Sequence, residues 1–183
     1  LLDGTVFYIT FANEMREILS LSQEQTYAVL IHANRLMQLL DEQNKSPLQT
    51  FDYIRRFAQF VTGHRGEGFF ANIDSVRLAD GLLLHAIEPP CGSNTYALEY
   101  HGELLFVDCG FACYKGEMLR LLEERFPRFS LRRKEIWLTH ADVDHAGLLP
   151  LFDAAWMSQS CYENFALEAR GEANFREQNP LHA

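Results

Sequence analysis

The chain has 183 residues, 48% of them hydrophobic, 13% aromatic and 22% charged, which is enough apolar material for a globular core and too much for a disordered tail. Its 16 Lys and Arg against 25 Asp and Glu leave a net charge of -9. That balance excludes a broad basic footprint for nucleic acid or an anionic membrane and favours a small-molecule partner.

Residues 1–61 read as helical. Phe7, Phe11, Met15 and Ile18 recur at helical spacing. A second helix opens at Ser22 with Gln25 three residues on, a capping-box pattern, and places Val29, Leu30, Ala33, Leu36, Met37 and Leu40 on one arc. A third opens at Ser46-Pro47 with Gln49 at N3, and its stripe is Phe51, Ile54, Phe57, Ala58 and Val61. These helices form either a small bundle or the end of a larger helical region. Three glycines in Gly63–Gly68 then suit a linker or turn, without the spacing of a nucleotide loop. The expected division is a helical region with its linker over 1–68 and a second unit over 69–183.

Past the linker the period changes. Ile73–Ala79 and Leu82–Ile87 are strand-like runs around Asp80-Gly81, a dipeptide suited to a tight hairpin. Thr95–Tyr100 and Glu103–Cys109 form a second pair around His101-Gly102, the latter strand apolar enough to be buried on both faces. A helical stripe of Met118, Leu119, Leu122 and Phe126 stops at Pro127, and Glu135–Thr139 is a short buried strand. A short helix is expected over Gly147–Asp153, a strand over Ala155–Ser158, and a helix capped by Ser160 with Glu163 and running to about Ala169. Hairpins followed by alternating β and α units make an α/β (α+β) layered protein.

The chemistry lies in Thr139-His140-Ala141-Asp142-Val143-Asp144-His145, directly after the apolar strand and before Gly147. In an extended chain His140, Asp142 and Asp144 project to one face, and a turn at Asp144 swings His145 toward the same pocket. Two imidazoles and two carboxylates suit Zn²⁺, Fe or Mn rather than a thiolate zinc site. At these residues the sequence resembles the metallo-β-lactamase fold hydrolases, whose signature His-x-His-x-Asp-His ends a strand. Ser93-Asn94-Thr95-Tyr96 followed by Leu104–Gly110 is similar to that family's opening hairpin, with Asp108 at the strand end facing the metal pocket. The resemblance covers about residues 73–183 and implies the first half of an αββα metallo-β-lactamase sandwich, preceded by a small helical region.

The resemblance further implies two divalent metal ions, Zn first with Fe or Mn as alternatives, held by His140, Asp142, Asp144 and His145. Asp144 would hold the second metal and orient the attacking water, with Asp108 and Thr139 behind the ligands orienting them. The expected activity is metal-dependent hydrolysis of an ester, thioester, lactam or phosphodiester. Asp142 stands where the family has its second histidine, and flavodiiron relatives carry a carboxylate there, so a di-iron redox protein is the alternative. A non-catalytic binding or regulatory module is a third reading. The family's later ligands are not matched: His182 does not fit the pattern and is expected to be a surface residue.

Other features read as structural. His32 and His85 are framework residues, Arg128–Lys134 is a solvated basic loop, and Ser93 lacks the context of a serine nucleophile. Cys91, Cys109, Cys113 and Cys161 form no CxxC pair and read as reduced thiols of a cytoplasmic protein. Neither a secretory signal nor a run of about twenty apolar residues is visible, so no membrane partner is expected. A start at Leu1 rather than Met, with the unmatched ligands, leads to the expectation of a piece of a longer protein.

Overall fold

The computed structural model describes residues 4–170 and Glu172, and His182 lies outside them. Backbone contacts divide the chain into two units, Leu1–Gly68 and Phe69–Ala183.

The first unit contains α1 (Gly4–Leu19), α2 (Gln23–Glu42) and α3 (Pro47–Gly63). Their apolar stripes meet in a core of Phe11, Met15, Ala33, Leu40, Phe51 and Ala58, with Phe7 and Phe11 set edge-on against Phe51 at 5.3 and 4.6 Å between ring centroids. The Ser22–Gln25 capping box is formed in both directions. The expected box at Ser46 is not: its side chain makes no cap hydrogen bond, and Pro47, with φ preset for the first helical position, starts α3 instead. Phe57, assigned to the buried stripe, is 45% exposed.

The second unit is mixed α/β, as the pattern requires. Six strands lie in the order β1-β2-β3-β4-β5-β6: β1 (Asn72–Ala79), β2 (Leu82–Glu88), β3 (Thr95–Tyr100), β4 (Glu103–Val107), β5 (Glu135–Leu138) and β6 (Ala154–Met157). The first four form an antiparallel meander, in which Gly81 at φ +70° and Gly102 at φ +87° supply the left-handed turn conformations. β5 and β6 then add in parallel, reached through α4 (Lys115–Arg125) and α5 (Val143–Ala146) respectively. The final helix, α6, spans Gln159–Ala169.

Alternation along the strands separates two faces of the sheet. His85, Ala97, Phe106 and Ile136 lie in register and are buried. Phe126, Phe129 and Phe152 pack edge-on around the Phe106 ring at 5.1–6.0 Å. The expected helix over Gly147–Asp153 is only a 3₁₀ turn at Leu149–Leu151, because the α-helical turn occurs earlier, at Val143–Ala146. The cap of α6 is Ser158 rather than Ser160: its hydroxyl accepts from the Cys161 N–H, so the helix begins two residues sooner.

Candidate metal centre

The parallel arrangement of β4 and β5 sets their C-terminal ends side by side, and polar residues leave both ends together. Asp108 follows β4 in the left-handed region, at φ +54°, a conformation that costs an L-residue about 1 kcal/mol and that Asp tolerates better than most. Its N–H donates to the Trp137 carbonyl of β5 (3.0 Å), which turns the carboxylate toward the segment after β5. There Oδ1 accepts the Thr139 N–H (2.9 Å), and Oδ2 accepts both the Thr139 hydroxyl (2.7 Å) and His145 Nδ1 (2.8 Å). Thr139 has given its only hydroxyl proton to Asp108, so its oxygen is left to accept from His140 Nδ1 at 2.9 Å. One 5%-exposed carboxylate thus orients both imidazoles, His145 directly and His140 through Thr139.

The bend differs from the expected one. Asp142 is the extended residue before α5, and the chain turns at Val143 rather than at Asp144, since the N–H groups of His145 and Ala146 close onto the Asp142 carbonyl at 3.0 and 3.1 Å. Asp144 and His145 therefore stand in a first helical turn. The carbonyl of His145 accepts the Cys109 N–H (2.8 Å), and the Gly147 N–H donates to the Gly110 carbonyl (2.8 Å), so the turn is stitched to the strand end that carries Asp108. Burial pushes the Cys109 thiol up to about 12, which makes it part of the framework rather than a thiolate ligand.

Four expected ligands form two adjacent pairs. His140 Nε2 lies 3.3 Å from Asp142 Oδ2, and His145 Nε2 lies 3.4 Å from Asp144 Oδ2. The two rings sit 3.9 Å apart between centroids. With both Nδ1 atoms engaged from behind, each Nε2 is turned toward a carboxylate oxygen, so that each pair presents one nitrogen and one oxygen donor to a cation. The donor set fits divalent zinc, iron or manganese. Among the described residues no three His, Cys, Asp or Glu side chains converge to hold one ion, so each pair amounts to part of a coordination shell.

Sequence reasoning missed one residue here. Ser93, dismissed as a nucleophile, donates its hydroxyl to Asp144 Oδ2 at 3.0 Å from the loop before β3. The only signal was its place in the segment that resembles the family's opening hairpin. His85 is framework, as expected: it is 1% exposed and bonded through Nδ1 to Ser75 at 2.8 Å. In the basic segment Arg133 pairs with Glu135 at 2.7 Å, and the buried Lys134 donates to the Arg132 carbonyl at 2.8 Å. No described helix is long and apolar enough to cross a membrane.

Residues 89–169 match the family model of the metallo-beta-lactamase superfamily, which bears out the resemblance over that segment. Among solved structures the chain is similar to an HARLDQ-motif mutant of a metallo-beta-lactamase from Cronobacter sakazakii (Enterobacter sakazakii), at 22% identity and a TM-score of 0.40, over 55% of this chain. The chain spans 39% of that protein's length. No curated protein matches it.

Proposed function

From residues 89–169 as a metallo-beta-lactamase superfamily segment, we propose that this chain carries one half of a two-metal hydrolytic centre acting on a small ester, thioester, lactam or phosphodiester. The observation that carries the proposal is the double pair, His140 with Asp142 and His145 with Asp144, oriented from behind by the single Asp108 carboxylate. His140 and Asp142 would hold one ion and Asp144 and His145 the other. Bound divalent metal lowers the pKa of water from about 16 toward about 7 and polarises a carbonyl or phosphoryl oxygen.

The chain's own residues contribute preorganisation. Asp108 and Thr139 hold both imidazoles with Nε2 outward, so no ring rotation is needed when a ligand site is completed. Asp144, anchored at Oδ2 by Ser93, is the carboxylate assigned to orient the water. The Asp142–His140 pair also favours a second reading, a di-iron redox centre, because a carboxylate replaces imidazole in that half of the site.

Equilibrium dialysis against zinc, iron and manganese separates the readings. Weak or partial zinc binding that disappears in His145→Ala, with hydrolysis of one of the four bond classes by the metal-replete natural protein, is expected. Iron retained after aerobic purification, with oxygen consumed in the presence of a reductant, would favour the second reading. A chain that binds none of the three metals would overturn both.

A further inference from the structure

The segment before β3 is costly to hold, and its cost is not repaid within itself. Gly92 and Ser93 are both left-handed, at φ +74° and +64°, and Ser is not a residue that favours this region. Beside them Asn94 Oδ1 and Thr95 Oγ1 are buried without a hydrogen-bond partner among the described residues. The Asn94 amide is spent on the Tyr96 hydroxyl at 3.2 Å. The loop is nevertheless docked: the Ser93 carbonyl lies 3.3 Å from where a Cβ on Gly110 would stand. Gly110 itself is left-handed and accepts the Gly147 N–H, so this loop, the Asp108 turn and the α5 turn form one packed unit. What the strained conformation achieves is the aim of one hydroxyl, since Ser93 Oγ donates to Asp144 Oδ2 across 51 residues of sequence. His145 Nε2 faces that same oxygen.

We infer that Ser93 is a positioning residue for the Asp144–His145 pair, fixing the Asp144 carboxylate before any metal arrives. The inference rests on the proposed metal centre but adds a residue outside the ligand quartet. A backbone held in a disfavoured region for one hydrogen bond to a ligand is strain tied to a site. A hydrogen bond to a ligating carboxylate is the kind of contact whose loss weakens metal binding by roughly 10- to 100-fold.

The backbone strain and the hydroxyl can be separated by substitution. Ser93→Gly relieves φ +64° and removes the hydroxyl; Ser93→Thr keeps the hydroxyl but places a β-branched residue where it is disfavoured. Zinc affinity by competition with a chromophoric chelator and thermal melting of the metal-free chain are measured for both, with the Co²⁺ absorption spectrum as a geometric readout. For Ser93→Gly the expected result is unchanged or higher metal-free melting, zinc affinity lower by about tenfold or more, and an altered Co²⁺ spectrum. For Ser93→Thr it is lower melting with zinc affinity near wild type. A Ser93→Gly variant that binds zinc as tightly as wild type, with the same Co²⁺ spectrum, overturns the inference and leaves the metal centre standing. Absence of zinc and Co²⁺ binding by the wild-type chain overturns the metal centre and this inference with it.

Discussion

At the residue scale, the centre is held by a small set of contacts that converge on a few residues, which makes single substitutions informative. Gly147 has an ordinary helical φ of -63°, so it needs no conformational freedom. Its constraint is steric. A Cβ there would overlap the Ala112 nitrogen, the Gly110 carbonyl oxygen and the Phe111 carbonyl carbon, all backbone atoms that cannot swing aside. Gly147→Ala is therefore expected to destabilise the second unit by about 1–3 kcal/mol or more and to reduce metal binding, because the clash separates the α5 turn from the strand end that carries Asp108. Gly116→Ala serves as the control. Nothing lies within 4 Å of a Cβ at that position near the start of α4, and the change should leave stability unaltered or raise it by about 0.5–1 kcal/mol. Urea midpoints for the two variants check this; equal effects would remove the steric account.

At the element scale, the meander and α4 are joined by a polar network under the sheet. His85 of β2 is bonded through Nδ1 to Ser75 of β1, and Arg125 at the end of α4 donates to Ser75 (2.9 Å) and lies 3.1 Å from the same His85 nitrogen. His85 Nε2 faces Glu99 Oε2 of β3 at 3.4 Å, and the ring packs edge-on against Phe126. Burial, followed by the Arg125 charge, holds the His85 pKa below its ordinary value, and Glu99 only partly counters them. A histidine with a depressed folded pKa binds fewer protons folded than unfolded just below about pH 6.5. Stability from this group is thus complete above that pH and falls as pH drops toward the folded pKa. Urea unfolding followed by circular dichroism should show this acid-side slope in wild type and a flatter one in His85→Gln. An identical slope in the variant would assign the effect to other groups.

The same scale explains what was readable in advance. The hairpin around Asp80-Gly81, the strand Thr95–Tyr100 and the capping box at Ser22 were legible because period and turn chemistry are properties of adjacent residues. The cap of α6 at Ser158 and the helical turn at Val143 were misplaced. Several Ser and Asp residues lie within reach of each helix start, and the backbone groups left unpaired after packing decide which one caps. The ligand quartet was visible as a local cluster, whereas its division into two pairs was not.

At the scale of the whole molecule, the two faces of the six-stranded sheet differ in cover. Behind it the Phe106 row is sealed by aromatic rings; on the other face Val76 is 56% exposed, and Trp137 and Trp156, paired in register across β5 and β6, are 54% and 56% exposed. These are the only two tryptophans in the sequence. Native emission of this chain is therefore expected to be solvent-like, readily quenched by iodide and little shifted on unfolding. A blue-shifted, iodide-resistant native spectrum would mean that this face is covered in solution.

Composition, periodicity and turn residues were enough to read a helical segment followed by a mixed α/β unit, and to locate His140, Asp142, Asp144 and His145 after a buried strand. Those features are encoded within a few residues of one another. The arrangement that makes the four side chains a site is not local. Asp108 reaches His145 across 37 residues and Ser93 reaches Asp144 across 51, and neither separation carries any periodic signature. They meet because parallel pairing of β4 with β5 brings two strand ends together and because Gly110 and Gly147 let three backbones approach, a closure that only the assembled sheet supplies.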